Sequence, residues 1–267
     1  WKRALGLLKL MVHQLMTPSV VSWNTTISAC NKGNQWEEAL DGIYLDAVPL
    51  YLDGGHATQA AATMLLALLE ERSVIPKELF LGLDPCGNIA STGQRLSSLQ
   101  GYDTWLQKFL SHGQKNNIDM RLLGVSTTPY HNAGATPATE LALMLATLAT
   151  YARNFSLSPA VLDQQVRIQL PVGKDFLGNI AKIRAAHSLY RAFFQAYGIE
   201  ATPHIHAHTS LRMMSIYDPW TNILRTTYAA FSAVLAKTHA LSIHAHDERL
   251  RQHSVLGRRI ARNIHNI

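Results

Sequence analysis

Five histidines fall in two short runs of alternating spacing, His204, His206 and His208 in one and His244 and His246 in the other. With the two-residue period of a strand, each set points to a single face. Such a spacing suits metal-assisted hydrolysis, where imidazoles hold an ion that acidifies a bound water. It also suits a polar lumen whose imidazoles bond to one another or to a ligand. The runs Val166-Arg167-Ile168-Gln169 and Gly82-Leu83-Asp84-Pro85 supply only part of the ligand set a metal hydrolase needs, so the polar lumen is preferred and no metal is assigned.

These histidines can act together only if the fold brings their runs side by side. From Asp41 onward, short β-rich runs alternate with longer helical ones. Strands are expected at 43–51, 79–83, 120–126, 165–170, 204–208 and 240–246, followed by helices near 56–72, 92–112, 136–154, 174–197, 218–237 and 247–264. Alternation of this kind implies parallel strands with crossover helices, as a doubly wound sheet or a (β/α)8 barrel. No Gly-x-Gly-x-x-Gly follows any of the strands, which weakens the dinucleotide-binding version. Polar residues gather instead at strand ends, with Asp53, Asp84, Thr127 and Thr128 joining the histidines, and barrel enzymes place their chemistry there. The expectation is an α/β fold, a partial TIM-type barrel of about six of eight βα units. Asp175 and Asp218 read as helix N-caps, the latter with Pro219 at the first helical position.

Composition allows this. The 267 residues are 47% hydrophobic, enough for one large buried core with a small appendage. The most apolar stretch, 60–69, runs into Glu70, Glu71 and Arg72, so no spanning segment and no membrane partner are expected. Cys30 and Cys86 are the two cysteines, which argues against a disulfide framework. The net charge of +6 is concentrated towards the two ends and reads as solvated surface. The chain starts at Trp1 without a methionine and shows no targeting layout, leaving mitochondrial matrix and cytoplasm both open.

The first forty residues have a different period. Trp1-Lys2-Arg3-Ala4-Leu5 recurs as Trp36-Glu37-Glu38-Ala39-Leu40, an offset of 35 residues, with Val21-Ser22-Trp23-Asn24-Thr25-Thr26-Ile27 between them. The segment resembles a pentatricopeptide repeat, in which Asn24 would be a base-reading position on RNA. Such units bury their faces only against neighbours, so one repeat makes no array and RNA is not expected as a partner. The organisation expected is 1–40 as a helical hairpin of repeat type and 41–267 as the barrel.

Five ordered motifs then point to a family. Ala133-Gly134-Ala135 with Glu140-Leu141, Asp175-Phe176 with Ile180-Ala181-Lys182 and Arg184-Ala185-Ala186, His206-Ala207-His208-Thr209-Ser210, Asp218-Pro219-Trp220 with Asn222 and Arg225-Thr226, and Arg259-Ile260-Ala261-Arg262-Asn263 are similar to segments of methylmalonyl-CoA mutases. The resemblance implies a barrel wrapped around the CoA chain of a thioester substrate, with adenosylcobalamin supplied by a separate domain of the assembled enzyme. The cobalamin-ligating Asp-x-His-x-x-Gly is absent, so this chain alone is not expected to bind the cofactor.

At the catalytic positions the chain departs from the active members. Their Tyr-His pair before Ala-Gly-Ala falls, without a gap, on Thr128 and Pro129; a two-residue gap brings Tyr130 and His131 into those roles. Their Gln and His on the last strand are lost in Thr238-His239-Ala240-Leu241-Ser242. The resemblance therefore favours the small, non-catalytic subunit, whose partner in a heterodimer is a catalytic mutase chain. Active isomerisation through Tyr130 and His131 is the alternative, and RNA binding a further one. Thr128, His206, His208, Ser210, His239 and His244 are the expected substrate-binding residues.

Overall fold

A computed structural model describes residues 49–94, 98–250 and 254–266. The repeat-like segment 1–40, with Asn24, and most of the expected strand 43–51 lie outside the described residues. Six strands are described: β1 Leu50–Tyr51, β2 Leu79–Leu83, β3 Met120–Ser126, β4 Val166–Val172, β5 Ile205–Thr209 and β6 Ala240–Ser242. They follow one another in sequence order, and the registers of β1 with β2, β2 with β3, β4 with β5 and β5 with β6 are all parallel. A doubly wound sheet reverses its strand order at a switch point. An order without reversal is that of consecutive βα units, and the fold is α/β, consistent with part of a TIM-type barrel.

The chain divides into two compact units. Among the described residues the first takes 49–84 and 98–123. It holds β1, α1 (Thr58–Glu71), β2, and, beyond 96, the 18-residue helix 99–116 and the start of β3. The helix α1 buries Ala61, Ala62, Leu65, Leu66, Leu68 and Leu69, the spacing of one helical face, and packs on β2. The second unit takes residues 85–95 and 124–267. In chain order the remaining helices are α2 (Pro85–Thr92), α3 (Leu99–Asn116), α4 (Thr128–Asn132), α5 (Pro137–Asn154), α6 (Pro159–Gln165), α7 (Phe176–Gln195), α8 (Thr221–Leu235) and α9 (Val255–Ile264).

Several expectations move. The single helix 92–112 is two, α2 and α3, because Gly93 takes a left-handed φ of 70° after α2 and Ser98 starts α3 by accepting from the Gly101 N–H. The helices α4 and α6 were not expected; each opens on a proline at its first turn, Pro129 and Pro159, which presets the helical φ. Strand 240–246 ends at Ser242, since the His244 N–H donates to Thr209 Oγ1 instead of continuing a ladder. His244 and His246 therefore lie in the loop after β6, not alternating along it. Asp175 caps α7, accepting from the Gly178 N–H at 3.0 Å. Asp218 accepts from Thr221 N at 3.4 Å, but α8 starts only at Thr221, with Trp220 as N-cap.

In the second unit β4 and β5 are covered on both faces, one by the fully buried Val166, Ile168, Leu170, Val172, Ile205 and Ala207 and the other at Arg167, His206 and His208, each under 8% exposed, as parallel central strands require. One side chain ties three elements. Asn179 of α7, itself 5% exposed, accepts from Gly173 N (3.1 Å), donates to Gly173 O (2.8 Å) and donates to the buried Ser232 Oγ of α8 (3.0 Å). Asn179→Ala leaves these groups without that partner, and each buried unsatisfied group costs about 1–3 kcal/mol. A loss of roughly 2–4 kcal/mol in urea unfolding is expected, against an unchanged midpoint if water replaces the side chain.

Candidate functional site

The carboxyl ends of β3, β4 and β5 converge on one carboxylate. Glu140 sits in the first turn of α5, 1% exposed, among the buried residues Leu141, Met144, Leu148 and Tyr151 of the same face. Its Oε2 accepts from Lys182 Nζ at 3.0 Å and from Thr127 Oγ1 at 3.2 Å; its Oε1 lies 2.8 Å from His131 Nδ1. Lys182, on the buried face of α7, also donates to Pro171 O of β4 at 2.6 Å. Burial alone would raise the Glu140 pKa, but the His131 bond and the Lys182 charge outweigh it and hold the carboxyl below its ordinary value. Burial draws the Lys182 ammonium down, and the charge of Glu140 opposes that shift.

From Glu140 the network runs to β5 through His131. A carboxylate can only accept, so Nδ1 of His131 is the donor, and Nε2 of the same ring is hydrogen-bonded to the Ser210 hydroxyl at 2.7 Å. Ser210 Oγ in turn accepts from Arg212 N at 3.1 Å, and Arg212 Nη1 donates to His131 O at 2.7 Å. The ring of His131 is held at both nitrogens and its backbone at the carbonyl.

A second chain of bonds lies beside the first. Ser126 Oγ donates to Thr128 Oγ1 (2.9 Å), which stands 3.1 Å from His208 Nε2, while Nδ1 of His208 meets no hydrogen-bond partner among the described residues. His206 Nε2 pairs with Ser242 Oγ of β6 at 2.8 Å. His244 Nδ1 donates to Thr209 O at 2.6 Å, and its ring meets that of His208 edge-on at 6.1 Å. Burial pushes both His206 and His208 well below the ordinary imidazole value, helped by the charge of Arg167 at His206 and by His244 at His208.

Of the residues expected from sequence, Thr128, His208, Ser210 and His244 are thus brought together at the carboxyl end of β5, with His206 two residues before His208 on the same strand, and His131 joins them from α4. Tyr130 lies on α4 as well, half-buried. His239 stands apart, at the amino end of β6, where Nδ1 accepts from Ile205 N at 3.2 Å and the ring stacks on His204 at 5.0 Å. Glu140, Lys182 and Thr127 were not singled out as site residues, although Glu140 and Lys182 belong to the motifs. Their signal was available: opposite charges placed on the apolar stripes of two successive helices need each other.

Hydroxyl, imidazole and carboxylate in the order Ser210, His131, Glu140 have the connectivity of an activated nucleophile. Three facts direct them to structure instead. Ser210 is 2% exposed, its Oγ already caps the turn 211–213, and Glu140 is neutralised by Lys182. Among the described residues no three His, Cys, Asp or Glu side chains form a metal-binding group.

Two outcomes are expected. Lys182→Met strands a buried carboxylate and should cost about 3–5 kcal/mol, whereas Lys182→Met with Glu140→Gln should cost clearly less; equal costs in urea unfolding would show that the cost does not come from a stranded carboxylate. For pH, histidines whose folded pKa lies below the unfolded value near 6.5 take up protons on unfolding, so stability is complete above about pH 6.5 and falls as the pH drops below it. Each ring contributes at most about 1.4 kcal/mol per pH unit, and Glu140, being depressed, adds to the loss only below the ordinary carboxylate range. Urea midpoints that stay level between pH 7.5 and 5.5 would contradict burial of these rings in neutral form.

The sequence profile of methylmalonyl-CoA mutase matches residues 28–267, taking in residues 28–40 that the repeat reading assigns to the helical hairpin. The methylmalonyl-CoA mutase small subunit of Streptomyces virginiae is 35% identical over 252 residues, 92% of this chain and 40% of that protein. The probable small subunit of Mycobacterium bovis is 30% identical over 78% of this chain and 34% of its own length. The methylmalonyl-CoA mutase of Rhizobium meliloti is 32% identical over 52% of this chain and 21% of its own. The chain spans at most about two fifths of these curated relatives. With a profile match over 240 of its 267 residues and a relative 35% identical over 92% of it, the chain belongs to the methylmalonyl-CoA mutase family.

Proposed function

We propose that this chain is a small-subunit-type partner of a catalytic mutase chain, keeping the walls of a thioester-binding lumen without the groups that carry out isomerisation. The observation that carries the reading is the fixation of His131. Both ring nitrogens are engaged inside the chain, at 2.8 Å by Glu140 and 2.7 Å by Ser210, so the imidazole that a gapped match would make catalytic presents neither to a substrate. Thr128, at the position where the gap-free match expects tyrosine, bonds to Ser126 and His208. Names of the relatives agree with this, since the Streptomyces and Mycobacterium proteins are small subunits by name.

Ligand contact in this reading falls to His208, whose Nδ1 meets no partner among the described residues, with His206, Ser210, Thr128 and His244 shaping its surroundings. A CoA thioester offers carbonyl acceptors that an imidazole N–H can meet. The residues do not fit adenosylcobalamin. His246 beside Asp247 is buried with its ring stacked on Trp220 at 4.9 Å, and Asp247 accepts from Ser254 N at 2.7 Å, so this pair offers no replacement for the missing ligating motif. The boundary near residue 40 and a fusion origin for the segment before it belong to the same proposal.

Co-expression with a catalytic methylmalonyl-CoA mutase chain is expected to give a complex that survives size-exclusion chromatography. The chain alone should show no methylmalonyl-CoA turnover with adenosylcobalamin, and Tyr130→Phe should leave the activity of the complex within about twofold. Turnover by the isolated chain that Tyr130→Phe abolishes would replace this reading with active isomerisation.

A further inference from the structure

The helix α8 is amphipathic in the inverse sense. Towards the sheet it buries Asn222, Thr226, Ala229, Ala230, Ser232 and Ala233, residues that are small or polar. Its outer side carries Leu224, Tyr228, Phe231, Val234 and Leu235, each between 44% and 72% exposed, with Trp220 at the N-cap 59% exposed. Positions 220, 224, 228, 231 and 235 recur at four, four, three and four residues, which is one stripe along a helix. A solvated outer helix carries charged residues on that side. The single charged residue of α8 is Arg225, and its Nη1 bonds to Met213 O at 2.9 Å and Asn222 Oδ1 at 3.3 Å.

The stripe continues beyond α8. Phe176 at the start of α7 packs its ring on Tyr228 at 4.6 Å and on Phe231 at 5.7 Å, and Leu177 beside it is 74% exposed. Tyr217, just ahead of the helix, is fully exposed. Taking about 200 Å² for each aromatic side chain, the exposed parts of Tyr217, Trp220, Tyr228 and Phe231 come to on the order of 500 Å². That alone is in the range of the largest apolar patch on a typical monomer, about 300–600 Å². With Leu177, Leu224, Val234 and Leu235 the face reaches the roughly 800 Å² that each partner buries in a stable protein interface.

Charge decides between partners. Exposed cations on α7 and in the turns that flank α7 and α8 are Lys174, Arg184, Arg191 and Lys237; of the exposed carboxylates there, Asp175 and Asp218 are taken up in capping contacts, which leaves Glu200 against four cations. Two copies of this face would set like charges against each other, which disfavours self-association and selects an acidic rim on the partner. We infer that the outer face of α8, with Phe176 and Leu177 of α7, is the surface on which a catalytic mutase chain seats an apolar patch with an acidic border. The inference rests on the small-subunit reading and names where the partner binds.

The test is co-expression of the full chain, wild type or carrying Leu224→Glu with Val234→Glu, with a catalytic mutase chain, followed by sedimentation analysis. Both substitutions are on exposed positions outside the histidine cluster, and circular dichroism checks that the fold is kept. The expected result is a wild-type complex and at least about a tenfold weaker one for the double variant, with protection of α8 amides from hydrogen exchange only in the wild-type complex. A wild-type complex matched in strength by the double variant overturns this surface and leaves the small-subunit reading intact. Absence of any wild-type complex removes that reading and the inference with it. A self-associated wild type that the variant dissolves overturns the catalytic chain as occupant.

Discussion

The buried pair Glu140 and Lys182 is the constraint on which the second unit depends. A carboxylate that is 1% exposed is tolerable only if its charge is matched and both oxygens are bonded, and here one oxygen meets Lys182 and Thr127 while the other meets His131. The consequence is geometric. Satisfying one side chain of α5 fixes the end of β3 through Thr127, the placement of α4 through His131, α7 through Lys182, and the end of β4 through the Pro171 carbonyl. Through Ser210 the same constraint reaches the turn after β5. An apolar substitute could fill the volume but could not specify these five directions at once.

This constraint also separates what was readable in the sequence from what was not. The strands at 79–83 and 120–126 were visible to the residue because runs such as Leu79-Phe80-Leu81 are bounded by turn or helix-starting residues on both sides. The cap at Asp175 was visible for the same local reason. The bond between His131 and Ser210 spans 79 residues, and no local pattern encodes it. Placing His244 on a strand failed because alternation of type survived in the sequence after the ladder had stopped, once Thr209 took up the His244 backbone and ring. Glu140 and Lys182 stood within family motifs, but a motif marks a position without telling whether its charge faces solvent, substrate or another charge.

The histidines illustrate the difference between residue type and chemical availability. The resemblance put His206, His208 and His239 in one class, as substrate-binding residues. In the structure His206 and His208 are buried along β5 with pKa values pulled well down, while His239 supports the amino end of β6 by accepting a backbone N–H of β5. Neutral, desolvated imidazoles are weak bases but capable hydrogen-bond donors and acceptors. A lumen lined in this way suits recognition of polar groups better than proton abstraction.

The inverse character of α8 follows from the same economy of space. A crossover helix that sits close to a parallel sheet needs small residues on its inner side, and Ala229, Ala230 and Ala233 meet that need while Asn222, Thr226 and Ser232 make the bonds that position loops and neighbouring helices. With the inner side thus committed, little of the hydrophobic driving force for holding α8 in place comes from its contact with the sheet. Apart from the contacts of Tyr228 and Phe231 with Phe176, the large apolar residues on the outside face water, and each one raises the tendency to associate. Such a distribution makes physical sense if the helix is completed by further protein, because the burial that most helices obtain within their own domain would then be obtained at an interface.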